Sequence, residues 1–187
     1  MALIDLFKQG WTSDRGDQTV CGWGSEIEHT EDIRQELPII LKEYNVKLFN
    51  DAGCGDLNWI STVDLSDIDY MGYDIVPRAK WNYPLKCRQM DISDNIMRKA
   101  DMILCRDVFI HLPNNTVQKI LDNFKQSSDL LLTTTFMDLS SNSDRLDEPS
   151  IKYAKINLSI EPFNLGKPLI CIKENYPNKY TCLWRLK

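Results

Sequence analysis

Short apolar segments alternate with amphipathic stretches along this chain. The apolar segments have the length and composition of buried parallel strands. Helical spacing of apolar residues recurs between them, as at Val117, Ile120, Leu121 and Phe124 before the last of these segments. Strands separated by helices at this interval predict right-handed crossovers and a mostly parallel sheet. The predicted parallel strands are 48–52, 69–74, 85–90, 101–107 and 130–136.

The C-terminal end has a different pattern. Two strand-like runs, 168–173 and 180–186, are joined by six mostly polar residues and predict an antiparallel hairpin. The predicted fold is therefore α/β, a doubly wound, mostly parallel seven-stranded sheet that ends in this hairpin. We expect one domain over residues 1–187, with four parts: an N-terminal flap and helix (1–44), a core (45–136), a substrate loop (137–166) and the terminal hairpin (167–187).

Local signals predict where helices start. Ser25-Glu26-Ile27-Glu28 has the form of a capping box, so a helix carrying Ile33, Leu37, Ile40 and Leu41 is predicted to begin at Ser25. Pro38 is expected to kink or restart that helix. A second helix is predicted to open at Asp56, and a short one to run from Pro77 to Trp81.

A glycine turn follows the first strand. In Asp51-Ala52-Gly53-Cys54-Gly55-Asp56 the glycines allow close approach of a ligand to the backbone, and a helix start behind them would offer unpaired N–H groups. The second strand ends in Asp74, about twenty residues further on, where doubly wound folds place a carboxylate against a ribose hydroxyl. Asn58 replaces the third glycine of the dinucleotide fingerprint. Together these features predict a cofactor site.

The amino-acid composition and net charge limit the kind of protein that this chain can be. The 187 residues are 43% hydrophobic and 26% charged, which is ordinary for a globular domain. A net charge of −5 argues against general attraction to nucleic acid, although a local basic patch stays possible. The six cysteines lie singly, so we expect reduced core residues. With no apparent signal peptide or membrane-spanning run, the sequence predicts a cytoplasmic protein with no membrane contact.

Several blocks of the sequence resemble small bacterial and phage-type class I methyltransferases, which use S-adenosylmethionine. The terminal hairpin and the missing third glycine fit that family better than a NAD enzyme. The resembling blocks are Cys21-Gly22-Trp23-Gly24-Ser25, Ile33-Arg34-x-Glu36-Leu37-Pro38, Asp51-Ala52-x-Cys54-Gly55-Asp56-x-Asn58-Trp59, Gly72-Tyr73-Asp74-Ile75-Val76-Pro77, Cys105-Arg106-Asp107 and Leu132-Thr133-Thr134-Thr135-Phe136.

The resemblance implies S-adenosyl-L-methionine as the cofactor and in-line methyl transfer as the reaction. Asp91 and Ile92 are expected at the adenine, the carboxylate on its amine and the side chain on its ring face. The cofactor-binding residues implied by the family are Asp51, Gly53, Gly55, Asp56, Asp74, Ile75, Asp91, Ile92 and Arg106.

The acceptor and the catalytic groups are less constrained. Asp107 and His111, after the fourth strand, are the candidate general bases, with a local ion pair or cap and a buried hydrogen-bonded histidine as their structural alternatives. His29 and His111 have no spacing typical of a metal site, so none is predicted. Trp11 and Trp23 either pack the N-terminal segment or close it as a lid. The acceptor candidates are Trp23, Ser25, Arg34 and Phe136.

We expect a methyltransferase for a small-molecule or glycan-type acceptor. The alternatives are a nucleotide or nucleic-acid methyltransferase, a non-catalytic S-adenosylmethionine-binding module and a NAD oxidoreductase. The sequence leaves the oligomeric state open.

Overall fold

A computed structural model describes residues 3–10, 19–77, 85–142, 149–150 and 152–187. Within those residues the chain forms one seven-stranded sheet and three α-helices. The helices are α1 (Leu3–Gly10), α2 (Glu31–Glu43) and α3 (Asn114–Ser127). The strands are β1 (Leu48–Ala52), β2 (Asp69–Asp74), β3 (Cys87–Gln89), β4 (Met102–Cys105), β5 (Leu130–Phe136), β6 (Ile170–Lys173) and β7 (Lys179–Arg185).

The order of strands in the sheet is β3-β2-β1-β4-β5-β7-β6. The first five strands pair in parallel, and β7 lies antiparallel between β5 and β6. The predicted α/β architecture with a terminal antiparallel hairpin is confirmed. Because strand order reverses beside β1, the carboxyl ends of β1 and β4 border a crevice in which open sheets bind ligands.

Two hydrophobic cores cover the two faces of the sheet. Successive β4 residues point to opposite faces, so Met102 and Leu104 join the core containing α2, whereas Ile103 and Cys105 join the one containing α3. Burial on both faces explains why β4 is apolar without alternation. β5 is also buried along its whole length but contains three threonines, one of which, Thr133, donates its hydroxyl to the carbonyl of Cys105 (2.6 Å). Helix α2 therefore packs on one face of the sheet and helix α3 on the other.

The predicted helix starts were partly wrong. Instead of a helix from Ser25, the chain makes two 3₁₀ turns, Trp23–Ser25 and Ile27–His29, before α2 begins after Thr30. The Thr30 hydroxyl donates to the carbonyls of Glu26 and Ile27, which holds the second turn. Helix α2 continues past Pro38 because its buried apolar face compensates for one missing N–H bond.

The prediction of a helix directly after the glycine turn is also wrong. Leu57 has φ of +64° and is fully buried, so the backbone leaves the helical region there and forms only the 3₁₀ turn Ile60–Thr62. The predicted N-terminal flap contains the helix α1, which was not predicted from the sequence, and Trp11 lies outside the described residues. The predicted helix 77–81 also falls mostly outside them.

The cysteine prediction fails for one pair. Cys171 and Cys182 are directly opposite each other in the β6–β7 ladder and form a disulfide. The sequence spacing of the two cysteines does not indicate this disulfide, because they are brought together by the register of the hairpin strands. Among the described residues, Cys54, Cys87 and Cys105 are free thiols.

The segment 137–166 has no helix or strand in its described part, as expected. It nevertheless buries Ile156, Leu158 and Phe163 in the core that contains α3. The Asn142 side chain also makes two hydrogen bonds to the backbone of Asn157: its amide nitrogen donates to the Asn157 carbonyl (2.6 Å), and its oxygen accepts from the Asn157 N–H (2.8 Å). Nowhere in the described ranges does a helix have the length and apolar character needed to cross a membrane.

Candidate functional site

A cleft of about 350 Å³ opens at the carboxyl ends of β1, β2 and β4. Its walls contain nearly every residue singled out from the sequence, from segments up to 113 residues apart, Trp23 and Phe136 being the extremes. Arg34 is the exception. Its guanidinium donates to the Ile27 carbonyl (3.1 Å) beneath the 3₁₀ turns, so the predicted acceptor role has no geometric support. The candidates that line the cleft are Trp23, Ser25, Asp51, Gly53, Gly55, Asp56, Asp74, Ile75, Asp91, Ile92, Arg106, Asp107, His111 and Phe136.

The glycine turn needs its glycines for steric reasons. Gly53 has φ of +80°, and a Cβ there would lie 2.2 Å from Cγ2 of Val108. Gly55 has φ of +60°, and its Cβ would lie 2.6 Å from Sγ of Cys21. The N–H of Gly53 donates to the carbonyl of Tyr73 (2.7 Å), which ties the turn to the end of β2. This arrangement keeps the backbone of the turn at the cleft wall.

Asp74 spans the glycine turn and the loop after β2. One of its carboxylate oxygens accepts from the N–H of Gly55 (2.9 Å), and the other accepts from the N–H of Val76 (2.8 Å). Both bonds are charge-assisted and orient the carboxylate in the cleft wall. Asp74, which was singled out by its distance along the sequence from the glycine turn, is therefore in direct contact with that turn.

Asp56 connects the N-terminal part of the chain to the glycine turn. Its carboxylate accepts from the Thr19 hydroxyl and Val20 N–H (both 2.8 Å), and from the N–H of Asn58 (3.2 Å). These bonds attach the segment after the N-terminal flap to the glycine turn. Asp56 therefore positions the cleft wall, and its predicted direct role in cofactor binding gains no support from these contacts.

Asp91 and Ile92 follow β3 at one end of the cleft. One carboxylate oxygen of Asp91 accepts from both the N–H (2.9 Å) and the hydroxyl (2.7 Å) of Ser93, which fixes the turn. The Ile92 side chain is buried against the core that contains α3, and its carbonyl accepts from the Asn123 amide. An oriented carboxylate thus lies next to an apolar surface.

Arg106 is the centre of a buried ionic network. Its guanidinium makes a bidentate pair with Glu174 (2.6 and 3.2 Å), donates to the carbonyl of Gly24 (2.7 Å) and lies 5.7 Å from the ring centroid of Trp59. The Lys179 ammonium lies 2.9 Å from the same Glu174 carboxylate. These partners lower the pKa of Glu174 and raise that of Arg106 against the cost of burial. Arg106 therefore joins β4, the terminal hairpin and the 3₁₀ turns.

Asp107 belongs to the same network. Its carboxylate lies 2.6 Å from the Lys179 ammonium and 3.2 Å from the Arg106 guanidinium, and Thr134 donates to it (3.0 Å). Despite burial, the two cations hold the pKa of Asp107 well below its usual range. A carboxylate so stabilised in its charged form is a poor proton acceptor, so the predicted role as general base is not supported.

His111 is buried and lines the cleft. Its Nδ1 lies 3.0 Å from the carbonyl oxygen of Ser150. A carbonyl only accepts, so Nδ1 carries the proton in the neutral ring and Nε2 is the basic nitrogen. Its ring also makes an edge contact with Phe7 of α1. The role of His111 as a general base stays a prediction. The structure adds that the neutral ring carries its proton on Nδ1.

Known proteins match this chain in structure but not in sequence. No family model and no curated protein matches it. The N-methyltransferase NodS of Bradyrhizobium japonicum, in complex with S-adenosylhomocysteine, superposes with a TM-score of 0.66 at 11% identity, over 97% of both chains. Magnesium protoporphyrin IX methyltransferase of Synechocystis, with bound SAM, gives 0.59 at 14% identity, over 96% of this chain and 88% of that one. A SAM-dependent methyltransferase of Clostridium acetobutylicum gives 0.60 at 14% identity, over 83% and 91%.

The chain has the class I methyltransferase fold. At these identities the similarity concerns the fold, and the chemistry has to be argued from the residues of the cleft. The structure differs from the predicted fold between β1 and β2. A helix was predicted there, and the chain forms the short 3₁₀ turn Ile60–Thr62 after Leu57 instead.

Asp51 introduces a pH-sensitive group at the base of the cleft. The carboxylate is almost fully buried and accepts from the Tyr70 hydroxyl (2.7 Å), and burial raises its pKa to about 7. The unfolded chain loses this proton near its ordinary pKa of 3.8, whereas the folded chain keeps it until about pH 7. Stability is therefore highest below pH 4 for this group and falls as the pH rises to about 7.

We expect Asp51→Asn to remove that pH dependence. Because one pKa unit is about 1.4 kcal/mol, the wild type should lose about 2–3 kcal/mol of unfolding free energy from this group between pH 5 and pH 8, and the variant should not. Urea denaturation at both pH values measures the difference. The exposed Asp67→Asn serves as the control, and a variant with the wild-type pH slope would contradict the assignment.

Sequence reading missed the contribution of the terminal hairpin to the site. Glu174, Tyr176 and Lys179 all line the cleft, yet they lie in the loop and strand that follow β6. They could have been found only from the predicted topology. Because β7 pairs with β5, the loop between the two hairpin strands lies near the ends of the parallel strands. Tyr153, from the predicted substrate loop, also lines the cleft.

Proposed function

We propose that this protein is an S-adenosylmethionine-dependent methyltransferase that acts on a small-molecule or glycan-type acceptor. The observation that carries the proposal is the Asp74 carboxylate held by the Gly55 and Val76 N–H groups at the rim of the glycine turn. A fixed acid beside a closely approachable backbone suits a ribose diol joined to a charged chain. The three similar structures, one in complex with S-adenosylhomocysteine and one with bound SAM, support this choice.

The residues of the cleft fit that cofactor along its length. Asp74 would hold the ribose hydroxyls, and the turn at Gly53 and Gly55 would face the amino-acid portion. Asp91 and Ile92 would hold the adenine, through its exocyclic amine and its ring face. When bound, the cofactor supplies an already activated methyl group, so this chain mainly aligns the acceptor and excludes water.

The acceptor end is bordered by aromatic side chains. The rings of Phe136, Tyr153 and Tyr176 contact one another at centroid distances of 6.2–6.4 Å, and Trp23 makes an edge contact with Tyr176. Trp23 is 46% exposed and Tyr153 48% exposed, although both line the cleft. Exposed rings beside a few oriented polar groups favour a small acceptor with apolar faces, such as a sugar ring.

Among the residues that line the cleft, we assign His111 as the proton acceptor for a hydroxyl substrate. His111 presents a basic Nε2, because its Nδ1 proton is donated to the Ser150 carbonyl. Asp107 is bound to Lys179 and Arg106 and would position the acceptor site without taking the proton. In this proposal His111 receives the acceptor proton, and Asp107 keeps the hairpin residues in place.

Isothermal titration calorimetry with S-adenosylhomocysteine tests the cofactor assignment, and NAD is the control ligand. We expect one site per chain for the former and no heat of binding for the latter. Binding of NAD alone would refute the proposal. If S-adenosylhomocysteine binds, transfer of a labelled methyl group to a panel of saccharides and small hydroxyl compounds tests the acceptor class, and a panel with no acceptor would favour a binding module.

A further inference from the structure

Three potential metal ligands converge in the 3₁₀ turns that precede α2. A carboxylate oxygen of Glu26, one of Glu28 and a ring nitrogen of His29 all lie within 4.8 Å of one another. Nε2 of His29 is 3.3 Å from Oε1 of Glu28 and 3.8 Å from Oε2 of Glu26. From the spacing of the two histidines in the sequence no metal site was predicted, and the acids next to His29 were overlooked.

The imidazole nitrogen in this group is unusual. His29 Nε2 is buried and makes no hydrogen bond with any described residue. A buried polar atom without a partner is costly, so its orientation toward two carboxylates needs an explanation. Trp23 packs on the imidazole at a centroid distance of 3.7 Å, and Arg106 donates to the His29 carbonyl, so the ring is held in place.

The spacing suits a shared cation. Two ligand atoms each about 2.1 Å from a metal ion lie about 3.0–3.4 Å apart at octahedral or tetrahedral angles. The His29–Glu28 separation falls in that range, and the His29–Glu26 separation is only slightly larger. Glu28 is 74% exposed and can adjust, whereas the side chains of Glu26 and His29 are each 15% exposed.

We propose that Glu26, Glu28 and His29 form a divalent cation site at the edge of the cleft. One imidazole with two carboxylates favours Mn²⁺ or Zn²⁺ over the all-oxygen ions Ca²⁺ and Mg²⁺. His29 itself lines the cleft, together with Trp23, so the cation would be bound next to the cleft wall. Any role toward the acceptor rests on the proposed function: a bound hydroxyl would lose its proton more readily.

Titration of the metal-free protein with Mn²⁺, followed by the EPR signal of the free ion, tests the site. We expect one Mn²⁺ per chain and displacement by Zn²⁺. Glu26→Gln and Glu28→Gln should each weaken Mn²⁺ binding at least tenfold, since each removes one charged ligand. Glu43→Gln, an exposed glutamate at the end of α2, is the matched control and should stay within twofold of the wild type.

Two results would overturn the cation site: no loss of the free Mn²⁺ signal at millimolar ion, or stoichiometric binding that survives both substitutions. Glu28 is exposed, so Glu28→Gln reports on the site even where Glu26→Gln disturbs the turn. Titration of the same samples with S-adenosylhomocysteine separates this proposal from the previous one. Mn²⁺ binding without S-adenosylhomocysteine binding would leave the cation site standing and refute the cofactor.

Discussion

Asp74→Ala is expected to lower the affinity for S-adenosylhomocysteine about 100-fold. In the proposed cofactor complex the carboxylate would make two charge-assisted hydrogen bonds to the ribose hydroxyls, and their loss would cost about 3 kcal/mol together. The substitution also leaves the N–H groups of Gly55 and Val76 without their carboxylate partner, which loosens the glycine turn. Calorimetric titration of the folded variant measures the loss, and circular dichroism confirms that the sheet is intact.

Two comparisons separate ribose binding from turn stability. Asp74→Asn keeps the size of the side chain and one acceptor oxygen but loses the charge, so we expect an affinity at least tenfold below that of the wild type. Asp69→Ala lies at the other end of β2, where the carboxylate pairs with Arg98 (2.9 Å) near the surface, and should stay within twofold. Wild-type affinity in Asp74→Ala would remove the ribose assignment and with it the main support for the cofactor.

The hydrophobic pattern was sufficient to predict the sheet. Buried parallel strands need apolar side chains on both faces, so β4 stands out as a continuous apolar run, and the predicted ends of β2 and β5 agree with the structure. Gly53, Gly55 and Asp74 were also predictable as one group. Their spacing follows from a strand, a turn and a crossover of ordinary length, and that geometry is general to doubly wound folds.

The irregular segments were not predictable in this way. Leu57 adopts a positive φ that its type disfavours, because tertiary burial outweighs local preference, and the predicted helix fails there. The capping box at Ser25 fails for a similar reason, since Thr30 and Asn58 hold the 3₁₀ turns through hydrogen bonds to their carbonyls. Competing contacts of this kind have no local signal.

The electrostatic character of the cleft was also hidden from the sequence. Asp107 was a reasonable candidate base from its position after β4. Its pKa depends on Lys179, which is 72 residues away and reaches Asp107 only because β7 inserts next to β5. The hairpin therefore turns a candidate base into a member of an ion-pair network, and this change of role follows from topology.

Arg106→Met is expected to lower the free energy of unfolding by about 3–5 kcal/mol. Methionine fills a similar volume but leaves Glu174 and Asp107 sharing the single cation of Lys179 in a buried site. It also leaves the carbonyl of Gly24 without its donor, so the 3₁₀ turns lose their attachment to β4. Urea denaturation at neutral pH measures the change. Arg185→Met, an exposed arginine at the end of β7, is the control and should cost less than about 1 kcal/mol.

The pH dependence of this deficit distinguishes an electrostatic role from packing. In the wild type, Arg106 lowers the pKa of both Asp107 and Glu174, so their stabilisation is fully present above the ordinary carboxyl pKa and declines as the pH falls through the folded values. Below about pH 4 the carboxylates of the variant take up protons and no longer need a cation. The difference between wild type and Arg106→Met should therefore narrow toward acid pH. A deficit that stays constant from pH 8 to pH 4 would show that Arg106 contributes volume and not charge, and the network would then have no part in joining the hairpin to the cleft.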